Sequence, residues 1–259
     1  MASKTAVGRW TFRAVQILED LIEREADHIE QVSQFAADAI GNGGVVHMFG
    51  TGHSRMAVEE MFPRYGSYPG FHPLVELSMT NHTQVTGANG QRQAMFIERV
   101  EGFAKVILSN FHLRPTDVMV VISHGGVTAV PVEISMVAQA AGMPVVALTS
   151  VAHSMATAPG HSSGTRLLDH ADVVIDLGTP VGDSLIMLEG LETPVGPGST
   201  MSAVAVVNEV KVRTAELLVA RGHIPKVLTS GAIVGAERSA ELFTAAYAEH
   251  GRLLAALIG

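Results

Sequence analysis

Four short apolar runs constrain this chain more than any other feature. They are Val45-Val46-His47-Met48-Phe49, Val118-Met119-Val120-Val121-Ile122, Pro144-Val145-Val146-Ala147-Leu148-Thr149 and Asp172-Val173-Val174-Ile175-Asp176. Each is too short for a typical helix, and none alternates polar with apolar residues, so each reads as a strand buried on both faces. Segments of helical period lie between them. Buried strands alternating with helices imply an α/β fold, a parallel sheet covered by helices on both sides. Leu74 to Leu77 reads as a further strand.

The longest helical pattern comes first. Val15, Leu18, Ile22, Ala26, Ile29, Val32, Ala36 and Ile40 recur every three or four residues, which predicts one long helix over about 10–40. Gly41-Asn42-Gly43-Gly44 ends it. Further helices are expected over 93–109, over 129–141 with Gly142 as the stop, and over 200–220 with Gly222 as the stop. A last one covers 235–249, with apolar residues continuing to Leu257. Residues 150–166, rich in Ser, Ala, Gly, Pro and Thr, read as a loop of unusual length, a common place for function. No linker divides the chain, so residues 1–259 are expected to form one domain with a long N-terminal helix and a C-terminal helical extension.

Composition excludes several classes. Apolar residues are 47% and charged residues 16%, enough to bury a core and too apolar for disorder. The chain has no cysteine, which removes disulfides, thiolate nucleophiles and zinc sites built on sulfur. Net charge is −8 without a basic stretch, so no nucleic-acid partner is expected. Met1 to Arg9 is polar, and no run approaches the roughly 18 apolar residues of a membrane helix, so a cytoplasmic protein without a membrane partner is expected.

Two strand ends carry the loops of interest. The first strand runs into Gly50-Thr51-Gly52-His53-Ser54, and the second into Ser123-His124-Gly125-Gly126-Val127-Thr128. Small and hydroxyl-bearing residues between a strand and a helix suit an anion, because backbone N–H groups and the helix dipole point at it. Ordinary tight turns are the alternative for either loop alone. Two at the C-terminal edge of one parallel sheet favour a ligand site. Arg55 stands where a dinucleotide fingerprint needs glycine, and neither loop has the Lys-Ser/Thr pair of a Walker sequence.

These two loops resemble those of the SIS (sugar isomerase) phosphosugar-binding domain. Glu98-Arg99-Val100-Glu101-Gly102-Phe103-Ala104, Thr149-Ser150-Val151-Ala152-His153-Ser154 and Pro180-Val181-Gly182-Asp183-Ser184 are similar to one bacterial branch of that family, whose nearest well-understood relative is the phosphoheptose isomerase type. The resemblance extends from the first helix to about residue 220. It implies a five-stranded parallel sheet flanked by helices in a three-layer sandwich, a homodimer or homotetramer, no cofactor, and a small anionic sugar as substrate. Ser54, Ser123 and Thr128 would hold the anion with the backbone of Gly125 and Gly126. The family commonly has Ser-x-Ser-Gly where this chain has Ser-His-Gly-Gly. Gly125 thus removes a hydroxyl. Either His124 compensates or the anion is atypical, such as a sulfonate.

Aldose–ketose isomerisation moves a proton between adjacent carbons through an enediol, so it needs a base near carbon and groups that stabilise an oxyanion. Glu60 lies five residues before Tyr65, the spacing of the family's catalytic glutamate, although the loop-to-Glu spacing is about one helical turn shorter. The alternative is that Glu59 and Glu60 are first-turn helix acids. Ser199 or Thr200 caps the helix at 200–220, and in the resembling family this helix start approaches the ligand. Glu209 falls near the family's second acid/base residue, a histidine.

Twelve histidines raise the question of a metal, but there is no His-Glu-x-x-His helix and no short histidine pair at ligand spacing, so no metal is expected. His47 reads as core. His53, His82, His153 and His161 lie in loops, of which His82 and His161 are the candidates for proton transfer. The leading expectation is a sugar-phosphate isomerase or a related etherase or epimerase. The competing class is a non-catalytic sugar-phosphate sensor, although residues 1–43 do not read as a DNA-binding module. Binding without turnover as a partner subunit is a third possibility. The long first helix has more apolar length than one domain face needs, which also points to an assembly.

Overall fold

The computed structural model describes residues 5–80 and 90–258. Helix α1 (Arg9–Gly41) leads into β1 (Val46–Gly50), a 3-10 turn at Gly52–Ser54 and the short α2 (Arg55–Glu59). Then come β2 (Phe71–Leu74), α3 (Gly90–Ile97), α4 (Phe103–Leu108), β3 (Val118–Ile122) and α5 (Ala129–Ala140). They are followed by β4 (Val145–Thr149), α6 (Val151–Ala156) and β5 (Val173–Asp176). Strands β6 (Ser184–Ile186) and β7 (Val195–Pro197), helix α7 (Ser199–Ala220), α8 (Gly231–Val234) and α9 (Ala236–Ala255) complete it.

Strands β1 to β5 form one parallel sheet in the order β2-β1-β3-β4-β5. Side chains alternate across it as the pleat requires. Met48, Val120, Ile122, Leu148 and Ile175 pack with Leu21, Val32 and Ala36 of α1 and with Ala203, Val206 and Val210 of α7. Phe49, Met119, Val121, Val145 and Ala147 pack with Ala104 and Ile107 of α4 and with Val130, Ile134 and Ala138 of α5. Two helical layers with a sheet between them are the expected α/β sandwich. The continuous apolar runs have this cause: both faces are dry.

Several local expectations need correction. The edge strand is Phe71–Leu74, earlier than the apolar residues at 74–77 suggested. The helix expected over 93–109 is two helices, broken where Gly102 adopts φ 88°. The long loop begins with α6, and the last helix continues to Ala255. The β6–β7 hairpin had no clear sequence signal.

The first helix also differs in its buried face. Ala14, Ile17, Leu21 and Glu25 are buried in its N-terminal half, while Val15 and Ile22 are 46% and 39% exposed. The expected stripe merges with the buried one only from Ile29 onward. Glu25 tolerates burial through His28 Nδ1 at 2.8 Å and Arg24 at 3.1 Å.

Candidate functional site

The strand order reverses direction between β1 and β3, and ligands in open α/β sheets bind at such a switch point, beyond the carboxyl ends of the strands. The two loops singled out in the sequence leave β1 and β3 at that place. Between them lies a pocket of about 300 Å³. Thr51 and Ser54 line it from the first loop, and Ser123, His124, Gly125, Gly126 and Thr128 from the second. Glu98, Arg99, His153 and Thr157 also line it; His153, expected in a loop and passed over there for His82 and His161, stands on α6.

Local geometry explains the loops. In the first, Gly50 lies so close to Ser54 that a Cβ there would meet its backbone at 2.9 Å. The chain then turns through Gly52, at φ 54°. Helix α2 has only five residues, so its dipole is small and the expected helix-end contribution here is weak. In the second loop Gly126 takes φ 59°, and its N–H donates to Ser123 Oγ at 3.2 Å. Thr128 precedes α5 without a side-chain capping bond. Helix α5 has 12 residues and opens at this loop, so the positive end of its dipole lies at the pocket end of the sheet; Val130 N–H is taken by the Glu98 carbonyl and Pro131 has no N–H.

Glu98 joins the two loops. Thr51 Oγ1 donates to its Oε2 at 2.8 Å, and its backbone carbonyl accepts from Val130 N, in the first turn of α5, at 3.0 Å. Burial raises the Glu98 carboxyl above the usual carboxylate range, against the opposing pull of the Thr51 hydroxyl and of Arg99. It is the carboxylate in the pocket wall. A glutamate beside an arginine just after an apolar helix was the available sequence signal, but nothing in that spacing aims it at loops remote in sequence.

His124 is pushed down by burial and by the His153 ring, while the Asp183 carboxylate, 3.9 Å from its Nε2, pulls the other way. Asp183 also accepts from Ser199 N at 2.7 Å, from Gly198 N at 3.1 Å and from Ser199 Oγ at 2.7 Å. Thus the start of α7 is capped by a loop carboxylate. Ser199 and Thr200 do not cap it through their side chains and do not line the pocket.

Other expected site residues lie apart. Glu60 Oε1 accepts from Asn208 Nδ2 at 3.3 Å, and its other oxygen pairs with Arg64. Lys211 Nζ donates to the Glu60 carbonyl at 2.8 Å and to Asn208 Oδ1 at 3.1 Å. Burial lowers the Lys211 amine, opposed by Glu60. Glu60 is therefore held in a network below the first loop and does not line the pocket. Glu209, on the same helix as Lys211, is exposed. His53 is exposed in the 3-10 turn.

His161 pins the long loop instead of facing the pocket. Its Nδ1 accepts from Ser163 N at 3.1 Å, and its Nε2 lies 3.6 Å from Glu133 and 3.9 Å from Glu101. Gly160 N donates to Val127 O at 2.8 Å and Leu167 N to Gly126 O at 2.8 Å, so this strap supports the second loop. His82 lies outside the described residues. Among the described residues no three His, Asp or Glu side chains gather as metal ligands. Among them no helix is long and apolar enough to cross a membrane.

A model of the SIS domain matches residues 9–150. A UPF0309 protein of Streptomyces coelicolor is 35% identical over 240 residues, covering 91% of this chain and 92% of the relative. A UPF0309 protein of Listeria monocytogenes is 30% identical over 240 residues, covering 93% and 95%. Among solved structures, a phosphoheptose isomerase from Neisseria gonorrhoeae superposes with a TM-score of 0.52 at 16% identity, covering 81% of this chain and 97% of that one. At that identity the likeness is one of fold.

Proposed function

The chain belongs to the SIS domain family, and on that premise we propose that it isomerises a small phosphorylated sugar between aldose and ketose forms in the pocket between its two loops. One observation carries the proposal: the pocket sets a half-buried carboxylate, Glu98, held by Thr51, opposite a loop of hydroxyls and backbone donors. The sugar anion sits on the hydroxyls of Ser123 and Thr128, with Ser54 across from them. The carbons next to the carbonyl then face Glu98. Glu98 takes the proton from one carbon and returns it to the neighbour. Burial brings its basicity toward that of the operating pH, the condition under which general base and general acid work equally well. Backbone and hydroxyl donors stabilise the enediolate.

Glu60 is the second candidate for the base, favoured by the buried Lys211 beside it, a cation placed to balance an oxyanion. Glu209 and His161 rank behind both, being exposed and tied into the loop strap respectively. The exposed Val15 and Ile22 support a homodimer or larger assembly built on α1. Charge confines phosphorylated sugars to the compartment that makes them, so a cytoplasmic location follows from the same substrate class. Residues 1–259 serve as one SIS unit in this proposal.

The deciding experiment incubates the protein with phosphorylated and sulfonated sugars in deuterated water. Exchange at a sugar C–H, lost in Glu98→Gln, supports the isomerase. Saturable binding without exchange makes the protein a sensor, and exchange only with sulfonates replaces the phosphate by a sulfonate.

A further inference from the structure

We propose that the His153 ring supplies the anion-binding donor that a hydroxyl at position 125 would otherwise provide, and that position 125 is glycine because the ring occupies its side-chain space. The inference deepens the pocket reading above and rests on it.

Gly125 has no backbone need to be glycine. Unlike Gly126, it is not among the residues of positive φ. The space decides. A Cβ built on Gly125 would lie 3.2 Å from His153 Cδ2 and 3.4 Å from Nε2, tighter than ordinary contact. So the Cδ2–Nε2 edge of the ring faces the glycine, and both residues belong to the pocket wall.

The proton on that ring is assigned by its other nitrogen. Gly182 N–H donates to His153 Nδ1 at 3.0 Å. A backbone amide only donates, so Nδ1 holds a lone pair and the neutral ring carries its hydrogen on Nε2. The base of the side chain is also fixed, since the His153 amide donates to Ser150 Oγ at 3.2 Å. His124 packs on the same ring with centroids 4.5 Å apart, but its own Nε2 turns toward Asp183. Of the two histidines, His153 therefore presents the donor beside Ser123 and Thr128.

The exchange has a chemical consequence. A serine hydroxyl both donates and accepts, whereas this ring, with Nδ1 engaged, only donates. A group that only donates suits a fully ionised tetrahedral oxyanion, a phosphate ester dianion or a sulfonate, because its bond to an ionised oxygen is the stronger and it cannot accept the hydrogen of an oxygen that still carries one.

The test uses the full chain titrated calorimetrically with inorganic phosphate and, separately, with sulfate. His153→Ala should weaken binding about tenfold or more, the scale of one hydrogen bond to a charged group. His153→Gln, whose amide reaches the Nε2 position, should recover part of the loss. Gly125→Ser alone should also weaken binding by displacing the ring. The double variant Gly125→Ser, His153→Ala should bind better than either single one, because the hydroxyl then fills the vacated place. An effect on both anions assigns the donor to oxyanions in general, and an effect on phosphate alone to phosphate esters. Unchanged affinity in His153→Ala, or a double variant no better than His153→Ala, overturns the proposal. So does a ring nitrogen spectrum placing the hydrogen on Nδ1 in the wild-type protein. If Ser123→Ala weakens binding and His153→Ala does not, the His153 role fails and the pocket stands. If the wild-type protein binds neither anion, both fail.

Discussion

Thr51 Oγ1 donates a 2.8 Å hydrogen bond to Glu98 Oε2, joining residues 47 positions apart in the chain. The bond does two things. It orients the one carboxylate of the pocket wall among the described residues, and it offsets part of the burial that raises that carboxyl. Removing the donor while keeping the shape, as in Thr51→Val, lets the Glu98 carboxyl rise further. A base must be ionised to work, so the acidic limb of the kcat/KM profile should move to higher pH. A profile identical to wild type would show that Glu98 does not titrate in turnover.

Glu98→Gln keeps size and removes the base. Turnover should fall on the order of 10²–10⁴-fold while sugar-anion affinity stays near normal. Glu60→Gln should cost less turnover and more stability, because it removes the charge paired with Arg64 and with the buried Lys211 amine, while Asn208 and the Lys211 bond to the residue 60 carbonyl keep their acceptors. Kinetics and urea denaturation on the same two variants separate the roles. The reverse pattern would transfer the base to Glu60.

Ser123→Ala and Thr128→Ala should each weaken binding of a phosphorylated sugar by roughly 1–2 kcal/mol, one hydrogen bond to an anion. Ser123 should cost the more of the two, since its oxygen also receives the Gly126 amide and holds the turn. Wild-type affinity in the double variant, with the fold intact, would remove the anion from this pocket.

Acid should destabilise the fold through the histidines at the other end of the sheet. His47 Nδ1 and His72 Nδ1 are 2.9 Å apart, and His47 Nε2 faces Asp117 at 3.5 Å. Burial, then the neighbouring His47 and His250, depress His72 to about 3. The unfolded chain therefore binds more protons between about pH 6.5 and 3, and stability rises with pH across that window. The contribution is complete above the ordinary histidine value and is lost as pH falls toward about 3, on the order of 3–5 kcal/mol in all. His124 and His250, also lowered by burial, add in the same sense, whereas Glu98, raised by burial, opposes. Urea midpoints at pH 7.5 and pH 5 check the sign, and His72→Phe should flatten the difference.

Charge placed on the outward stripe of α1 should break an assembly. Val15→Glu with Ile22→Glu is expected to shift sedimentation at micromolar concentration from dimer or larger to monomer while leaving the circular dichroism spectrum unchanged. A wild-type monomer would remove the assembly from the proposal.

Both loops were legible because each follows an unbroken apolar strand, and the periodicity that marks a strand end also marks where a ligand can sit. Ser123, Thr128 and Ser54 line one pocket, the first two from the second loop and Ser54 from the first. The acid/base candidates read less well. Glu60 was chosen by spacing within one segment, and spacing carries no information about Lys211 and Asn208, which reach it from a helix some 150 positions later. Glu98 was visible only as part of a motif. Its place in the pocket depends on a bond to one loop and a backbone contact to the helix after the other.

The division follows from the range of the forces. Strand runs, helix stops and the parallel sheet follow from local patterns of burial, since a residue's neighbours in sequence determine which faces can be dry. The same patterns sufficed to place two loops at one sheet edge. Direction was beyond them. Val15 and Ile22 fit a helical period as well as Ala14 and Leu21 do, and packing against α7 and the sheet decided which pair went inside. His153 and Gly125 are equally undistinguished in the sequence. Only when β3 and β4 lie side by side does the ring meet the missing side chain, because that contact belongs to the register of two strands and to neither segment alone.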